Sequence, residues 1–184
     1  KDGLMDDFTA GHIPTEISKV IVEEVGSELE KKYPVKFYPG VSYRHLAIIS
    51  TDEPGFLNSL QNAECTPPHD ITGKKWEDYL PKGDGAELLI AIMRDSQQLL
   101  PSHPLSVQRA SEGYPEPNSF WLWGQGKTPS MKSYKELFNL SGAVISAVDL
   151  VKGIGILAGL RSVDVPGATG WLDTNYNGKI STAL

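Results

Sequence analysis

The segment that most restricts the fold of this chain lies between residues 143 and 165. Residues 143–148 form a continuous apolar run of strand length, residues 149–158 predict an apolar helix, and residues 162–165 predict a second strand. A strand, a helix and a strand within about 25 residues are typical of a βαβ crossover, because two parallel strands need a long connection between them. The segment therefore predicts an α/β fold class, with a parallel strand pair covered by helices.

The preceding part of the chain has a different sequence pattern, in which stretches rich in turn-forming residues separate the predicted helices and strands. Apolar residues at helical or strand spacing predict five elements there: helices over 14–32, 84–101 and 104–113, and strands over 35–38 and 43–49. Asp84 and Glu87 predict a capping box at the start of the second helix. We therefore expect two domains: an α+β domain with a mixed sheet and flanking helices over residues 1–137, and a βαβ segment over 138–184.

An alternating aromatic stretch precedes a polar, glycine-containing loop. On a strand, Trp121 and Trp123 would share one face, and Phe120 and Leu122 would share the other. A strand that is buried on both faces is typical of the centre of a sheet. Because Lys127 follows in the loop, we expect the end of this strand to line a site for an anion.

Two nucleotide-binding patterns occur in incomplete form. Gly126-Lys127-Thr128 matches the end of a phosphate-binding P-loop, but the first glycine of that motif would fall at Trp121. Pro129 also removes an amide where the helix of a P-loop begins. Residues 153–158 match a dinucleotide-binding pattern, but they lie inside the predicted helix. We therefore expect Gly153 and Gly155 to permit close helix packing instead.

Charge and cysteine content narrow the possible functions. The net charge is −6, and the closely spaced basic residues are two isolated lysine pairs, which argues against nucleic acid as a partner. Cys65 is the single cysteine, so the chain has no internal disulfide. No apolar run approaches the roughly 20 residues that a membrane-spanning helix needs. We expect a cytoplasmic protein without a membrane or nucleic-acid partner.

Two pairs of residues are candidates for chemistry. Residues 50–82 are polar and rich in turn formers, and a loop of this length is usually functional. His69 and Asp70 lie within it, and a neighbouring carboxylate can fix the tautomer of a histidine and favour its protonated form. On a strand, Arg44 and His45 point to opposite faces, so one of them would face a given cavity. A surface histidine and a structural arginine remain the alternatives.

Five segments of the chain resemble one known family. They are residues 37–46, 67–71, 121–126, 142–155 and 165–176. These segments are similar to the archaeal-type, 2,3-bisphosphoglycerate-independent phosphoglycerate mutases, a branch of the alkaline phosphatase superfamily. The resemblance extends over most of the chain, and several matching segments exceed ten residues.

The resemblance implies a two-domain enzyme that interconverts 3-phosphoglycerate and 2-phosphoglycerate through a phosphoserine intermediate. A phosphatase-like core would hold two divalent metal ions, Mn or Mg, and an inserted domain would hold the phosphoglycerate. The serine nucleophile and the metal-binding motifs of the family lie before and after the matching stretch. We therefore expect a fragment, inactive alone, whose partner is the missing core domain, and both ends of the sequence suggest such a cut.

The resemblance also gives roles to individual residues of this fragment. Arg44 and Arg109 would bind the carboxylate or the phosphate of the substrate bidentately. His69 with Asp70 would orient a glycerate hydroxyl group. Trp123 and Gln125 would form part of the pocket wall, and Lys127 would add a positive charge from the loop. We assign no catalytic residue and no metal ligand to this chain.

Two other functions remain open from the sequence. The chain could be a non-catalytic module that binds a phosphorylated metabolite. It could also belong to a related phosphotransferase, such as a phosphopentomutase or a small-metabolite kinase, because members of one superfamily share a core but differ in substrate.

Overall fold

The computed structural model describes residues 3–170 and 172–184. It consists of two compact units, of which the first ends at Lys127 and the second begins at Thr128. The predicted boundary, between residues 137 and 138, lies within the second unit. The assignment of the two parts to a substrate domain and a catalytic core stays a prediction. None of the described helices combines the length and the apolar character that a membrane crossing requires.

Helix α1 (Thr15–Glu30) forms the centre of the first unit, as its apolar spacing predicts. Ile21, Val25 and Leu29 follow each other at intervals of four residues, so they share one face and are buried together. Gly26 lies on the same helix against Phe37, where a Cβ atom would come within 3.1 Å of the phenylalanine Cβ. The helix ends before Pro34, which cannot continue the pattern of helical hydrogen bonds.

Strands β1 (Val35–Pro39) and β2 (His45–Ile49) pair antiparallel, with Phe37 opposite Ala47. The inner face of this hairpin packs on α1, and its outer face exposes Tyr38, Leu46 and Ile48. The Phe37 amide donates to Glu30 Oε1 (2.9 Å) instead of to a third strand. The α/β class is confirmed, but the sheet of the first unit is a two-stranded antiparallel pair among the described residues, not a mixed sheet.

The aromatic stretch is not the central strand that its alternation predicts. Residues 114–132 have no regular secondary structure. The Phe120 amide donates to Ser96 Oγ (2.8 Å), and the Phe120 ring packs on Phe37 with 5.1 Å between ring centroids. Leu122 contacts both hydrophobic clusters of the first unit. The side chains of Phe120 and Leu122 therefore pack into the core. The Phe120 amide bonds to a serine side chain instead of to a neighbouring strand.

Three further helices complete the first unit: α2 (Pro54–Asn62), α3 (Ala86–Leu99) and α4 (Pro104–Ser111). Helix α2 lies within residues 50–82, which were predicted to form a loop. Pro54 is compatible with a helix start because the first amides of a helix have no partner within it. Leu60 then packs with Leu89 in the second hydrophobic cluster, which stabilises α2. The capping box is absent from α3, because Gly85 in a left-handed conformation (φ 80°) occupies the N-cap position.

The second unit contains the predicted βαβ crossover. Strands β3 (Ala143–Ile145) and β4 (Arg161–Val163) pair parallel, and helix α6 (Asp149–Leu157) connects them. A Cβ atom at Gly155 would collide with Val144, so this glycine permits close packing of α6 on β3, as predicted. The same prediction is wrong for Gly153, because a Cβ atom there would meet no atom outside its own helix within 4 Å. Two more helices flank the crossover: α5 (Tyr134–Phe138) and α7 (Tyr176–Ala183).

Candidate functional site

The loop from Asp7 to His12 is held by the carboxylate of its first residue. Asp7 Oδ1 accepts from the Thr9 amide (2.7 Å) and hydroxyl (2.6 Å), and Oδ2 accepts from the Gly11 amide (2.7 Å). Desolvation opposes ionisation of Asp7, but these hydrogen bonds outweigh it and lower the pKa of the carboxyl group. Ala10, Gly11 and His12 all have positive φ angles, of 48°, 67° and 48°. Asp7 thus stabilises a loop whose backbone has positive φ angles, which residues other than glycine rarely adopt.

An aromatic row connects this loop to three other parts of the first unit. The row consists of His12, Tyr43, Phe8, His69 and Trp123. Phe8 packs edge-on against Tyr43 (5.6 Å between ring centroids) and against His69 (6.0 Å). At one end His12 contacts Tyr43 at 5.9 Å, and at the other end Trp123 contacts His69 at 5.4 Å. Such edge-to-face contacts fix the relative orientation of the rings.

Arg44 lies beside this row. Its Nη2 atom donates to Tyr43 Oη (2.6 Å), and its guanidinium carbon lies 4.3 Å from the centre of the Tyr43 ring. Arg44 is exposed, and within the described part of the chain no carboxylate lies at ion-pair distance from it. The guanidinium is therefore oriented by Tyr43 while its charge is not neutralised.

His69 and Asp70 form an exposed pair in the 3-10 turn Pro68–Asp70. His69 Nε2 lies 3.5 Å from Asp70 Oδ1, and 49% and 62% of the two side chains are exposed. The turn is closed by the Ile71 amide, which donates to the Pro68 carbonyl oxygen (3.3 Å). The residues that follow it are tied to the start of the chain, since the Met5 amide donates to the Lys74 carbonyl oxygen (2.9 Å). Both side chains can therefore reach a ligand in solvent while the backbone beneath them is supported.

Arg109 has a different environment from Arg44. It is buried on α4, with 5% exposure. Its Nη2 atom donates to the Ala10 carbonyl oxygen (2.8 Å) and its Nε atom donates to the Pro115 carbonyl oxygen (3.3 Å). Its guanidinium also lies over the Tyr114 ring at 5.2 Å. These contacts hold the Asp7–His12 loop against α4, and the predicted substrate contact of Arg109 stays a prediction.

The segment from Trp121 to Lys127 is hydrogen-bonded to α2 and to the residues that follow it. Three side chains donate to partners there: Trp121 Nε1 to the Thr66 carbonyl oxygen (2.8 Å), Gln125 Nε2 to the Ala63 carbonyl oxygen, and Lys127 Nζ to Asn58 Oδ1 (2.9 Å). The segment thus runs antiparallel to residues 58–66. Because Asn58 is neutral, the charge of Lys127 remains uncompensated by this contact. Substrate binding by Gln125 and Lys127 stays a prediction.

The structure therefore brings together three of the predicted site residues, together with Trp123: Arg44, His69 and Asp70. Sequence reasoning missed Asp7, Phe8 and Tyr43, which connect them. The spacing of Asp7, Thr9 and Gly11 is a local signal for a turn closed by a carboxylate, and it was available in the sequence. The ring contacts join residues distant in sequence, so no local pattern could reveal them.

A metal centre does not accompany the aromatic row. Among residues 3–170 and 172–184, no group of three or more His, Cys, Asp or Glu side chains could hold a metal ion. The described side chains therefore do not fit the metal ions that the resemblance implies. Two cavities, of about 580 and 500 Å³, lie away from the row, one lined by Glu24 and His103 and the other by Phe56 and Leu88. In the row itself His12, His69 and Trp123 are exposed, whereas Phe8 and Tyr43 are half-buried.

The fold and the site define an α/β protein in which an exposed arginine and an exposed histidine–aspartate pair are connected through the rings of Tyr43 and Phe8. A family model described as 2,3-bisphosphoglycerate-independent phosphoglycerate mutase matches residues 1–106, which is more than half of the chain. The chain belongs to this family, and the resemblance noted in its sequence is confirmed.

Relatives of known name support the assignment. The 2,3-bisphosphoglycerate-independent phosphoglycerate mutase of Methanothrix thermoacetophila is 50% identical over 100% of this chain and 44% of its own length. The protein of the same name from Methanosarcina acetivorans is 47% identical over 100% of this chain and 45% of its own length. The cofactor-independent phosphoglycerate mutase of Thermoplasma acidophilum has a similar fold, with a TM-score of 0.55 and 21% identity over 100% of this chain and 47% of that structure. The chain thus spans less than half the length of these relatives.

Proposed function

We propose that this chain is the substrate-holding part of a cofactor-independent phosphoglycerate mutase. The complete enzyme interconverts 3-phosphoglycerate and 2-phosphoglycerate through a phosphoserine intermediate. The observation that carries the proposal is the Arg44 guanidinium, which is exposed, oriented by Tyr43 and unpaired with any described carboxylate. Family membership supplies the chemical identity of the anion that this guanidinium would bind.

Each polar group beside the aromatic row has a distinct part in this proposal. Arg44 binds the carboxylate or the phosphate, because a guanidinium presents parallel N–H donors that match two oxygens. His69 with Asp70 orients the glycerate hydroxyl group that gives or receives the phosphoryl group. Phe8 and Trp123 form the apolar wall of the site. Arg109, Gln125 and Lys127 add further donors around the substrate.

The remaining chemistry belongs to the rest of the enzyme. The serine nucleophile and two divalent metal ions, Mn or Mg, reside in a phosphatase-like core, and the described side chains of this chain form no metal cluster. Residues 1–137 are the inserted substrate domain, and residues 138–184 return into that core. The chain alone is inactive, and the complete enzyme works in the cytoplasm.

A chimera tests the proposal. This chain replaces the matching segment of the Methanothrix thermoacetophila relative, and the chimera is expected to have mutase activity while the chain alone has none. Arg44→Ala should lower kcat/KM by at least about tenfold, because a hydrogen bond to a charged group contributes ~1.5–3 kcal/mol. Arg94→Ala is the matched control, since Arg94 is an exposed arginine on α3.

Two outcomes contradict the proposal in different ways. If the Arg44→Ala chimera keeps the kcat/KM of the unsubstituted chimera, Arg44 does not bind the substrate. If the chimera is inactive but the isolated chain binds 3-phosphoglycerate, the chain is a binding module and not part of a mutase. Binding is measured by titration calorimetry without metal ions.

A further inference from the structure

Phe8 occupies the middle of the aromatic row. Its ring contacts Tyr43, which orients Arg44, and it also contacts His69, which pairs with Asp70. The two polar parts of the proposed site are therefore connected through one phenylalanine ring. A displacement of Phe8 would alter the support of Arg44 and of His69 at the same time.

The backbone on both sides of Phe8 is fixed by the Asp7 carboxylate. Asp7 precedes the phenylalanine, and Thr9, which follows it, donates to Asp7 Oδ1 through its amide (2.7 Å) and its hydroxyl (2.6 Å). Phe8 is thus the residue enclosed by this short hydrogen-bonded ring. Such a turn restrains the backbone of the enclosed residue and with it the direction of its Cα–Cβ bond.

The rest of the loop is supported from α4. Arg109 Nη2 donates to the Ala10 carbonyl oxygen (2.8 Å), and a Cβ atom at Gly11 would come within 2.8 Å of Pro115 Cδ. The loop therefore packs closely against the residues after α4. This contact fixes the position of the loop, whereas Asp7 fixes its internal course and with it the direction of Phe8.

We propose that Asp7 is a positioning residue of the glycerate site, which places Phe8 between Tyr43 and His69 and thereby sets the separation of Arg44 from the His69–Asp70 pair. The proposal rests on the proposed function for the identity of the ligand. The Asp7 carboxylate does not contact the substrate. All three of its hydrogen bonds lie within its own loop, so its effect on a ligand passes through Phe8.

Three variants of the 184-residue chain test this role. Asp7→Asn replaces one carboxylate oxygen by an amide donor, so the Thr9 and Gly11 donors can no longer all be accepted. Thr9→Val removes the hydroxyl donor and keeps the carboxylate, and it serves if Asp7→Asn does not fold. Asp6→Asn is the matched control, because Asp6 is the neighbouring exposed carboxylate.

Two measurements are made on each variant. Nuclear Overhauser contacts between the rings of Phe8, Tyr43 and His69 report the geometry of the row, and they need no ligand. Titration with 3-phosphoglycerate reports the affinity. For Asp7→Asn we expect loss of the Phe8 contacts and a Kd about tenfold higher, or ~1.4 kcal/mol. Asp6→Asn should keep the contacts and the Kd of the unsubstituted chain.

The outcomes separate this proposal from the proposed function. The positioning role is overturned if Asp7→Asn keeps the Phe8 contacts. It is also overturned if the unsubstituted chain binds 3-phosphoglycerate and the Kd of Asp7→Asn stays within about twofold of the unsubstituted value. If the unsubstituted chain does not bind 3-phosphoglycerate, the isolated chain does not hold the substrate as proposed. The ring contacts then decide alone whether Asp7 places Phe8. Thr9→Val is judged by the same two measurements.

Discussion

The first compact unit buries its own core, whereas the second exposes most of its large apolar side chains. Among the described residues, Val165 is the one buried hydrophobic side chain beyond Lys127, and the others all lie in the first unit. In the second unit Leu150, Leu172 and Ile180 are 72%, 80% and 60% exposed. The two units thus show that regular secondary structure does not by itself provide a core.

This difference agrees with the lengths of the relatives, of which the chain spans less than half. A parallel strand pair is normally covered by helices on both faces. The exposed side of α6 is therefore a surface that the complete enzyme would cover, if the second unit is the return into its core. The first unit contains all the other buried hydrophobic side chains of the described residues, and the candidate site lies entirely on it.

The largest expected effect comes from truncating a buried leucine of the first unit, for which an exposed leucine of the second unit is the comparison. Leu29→Ala should lower the free energy of unfolding by about 2–5 kcal/mol, because Leu29 is fully buried in α1 and its removal leaves a cavity. Leu150→Ala should change the free energy by less than about 0.5 kcal/mol, since Leu150 is exposed. Urea unfolding followed by circular dichroism measures both. Equal effects would show that the two units do not differ in burial.

A smaller effect is expected where the second unit does pack closely. Gly155→Ala should destabilise the βαβ crossover by about 1–3 kcal/mol, because the new methyl group would collide with Val144. Gly153→Ala lies two residues away on α6 with open space around it, and should stabilise the helix by about 0.5–1 kcal/mol. Amide hydrogen exchange of residues 143–163 reports both changes. If Gly153→Ala also destabilised the crossover, α6 would not tolerate alanine at either glycine, and the effect at Gly155 could not be assigned to Val144.

The smallest expected effect concerns His45 at the start of β2, because this residue is exposed and solvent screens the effect of its pKa shift on stability. Desolvation lowers the pKa of His45 from its ordinary value of 6.5 to about 4, and its Nδ1 atom accepts from the Gly40 amide (3.2 Å). The folded state therefore binds fewer protons than the unfolded state between these pH values. Stability from neutral His45 is present above pH 6.5 and is lost as the pH falls through about 4.

Proton NMR of the imidazole titration measures this pKa directly. The loss of stability between pH 6.5 and 4.5 should be smaller in His45→Gln than in the unsubstituted chain, because glutamine does not titrate. A titration midpoint near the ordinary value of 6.5 would contradict the desolvation of His45.

The elements that were predicted correctly depend on residues close together in sequence. The βαβ crossover follows from apolar runs and their spacing, and the role of Gly155 follows from its place inside a helix. The aromatic stretch was misread because alternation tells which side chains are buried, not whether the backbone has a neighbouring strand to pair with. Phe120 satisfies its amide through Ser96 instead.

Helix starts give a second example. Asp84 and Glu87 have the spacing of a capping box, but Gly85 takes the N-cap position, so the pattern is not used. Ser133 and Glu136 form a complete capping box at the start of α5, and this capping box was not predicted. A capping pattern fixes a helix start only if the backbone turns into the helix at that residue, and tertiary packing decides this.

In the site, the sequence singled out Arg44, His69 and Asp70 as candidates, and the resemblance gave them roles that stay predictions. The residues between them came from the structure. Ring contacts from Phe8 to Tyr43 and to His69 join positions that no local pattern connects.

The hydrogen bond from the Phe37 amide to Glu30 also removes a free donor from the outer edge of β1. An exposed edge strand recruits strands from other molecules through its free amides. On the outer edge of β1, the Val35 amide donates to the Tyr33 carbonyl oxygen (2.8 Å), Glu30 occupies the Phe37 amide, and Pro39 has no amide hydrogen. A strand approaching this edge would find no donor, so the hairpin can expose an apolar face without seeding aggregation from β1.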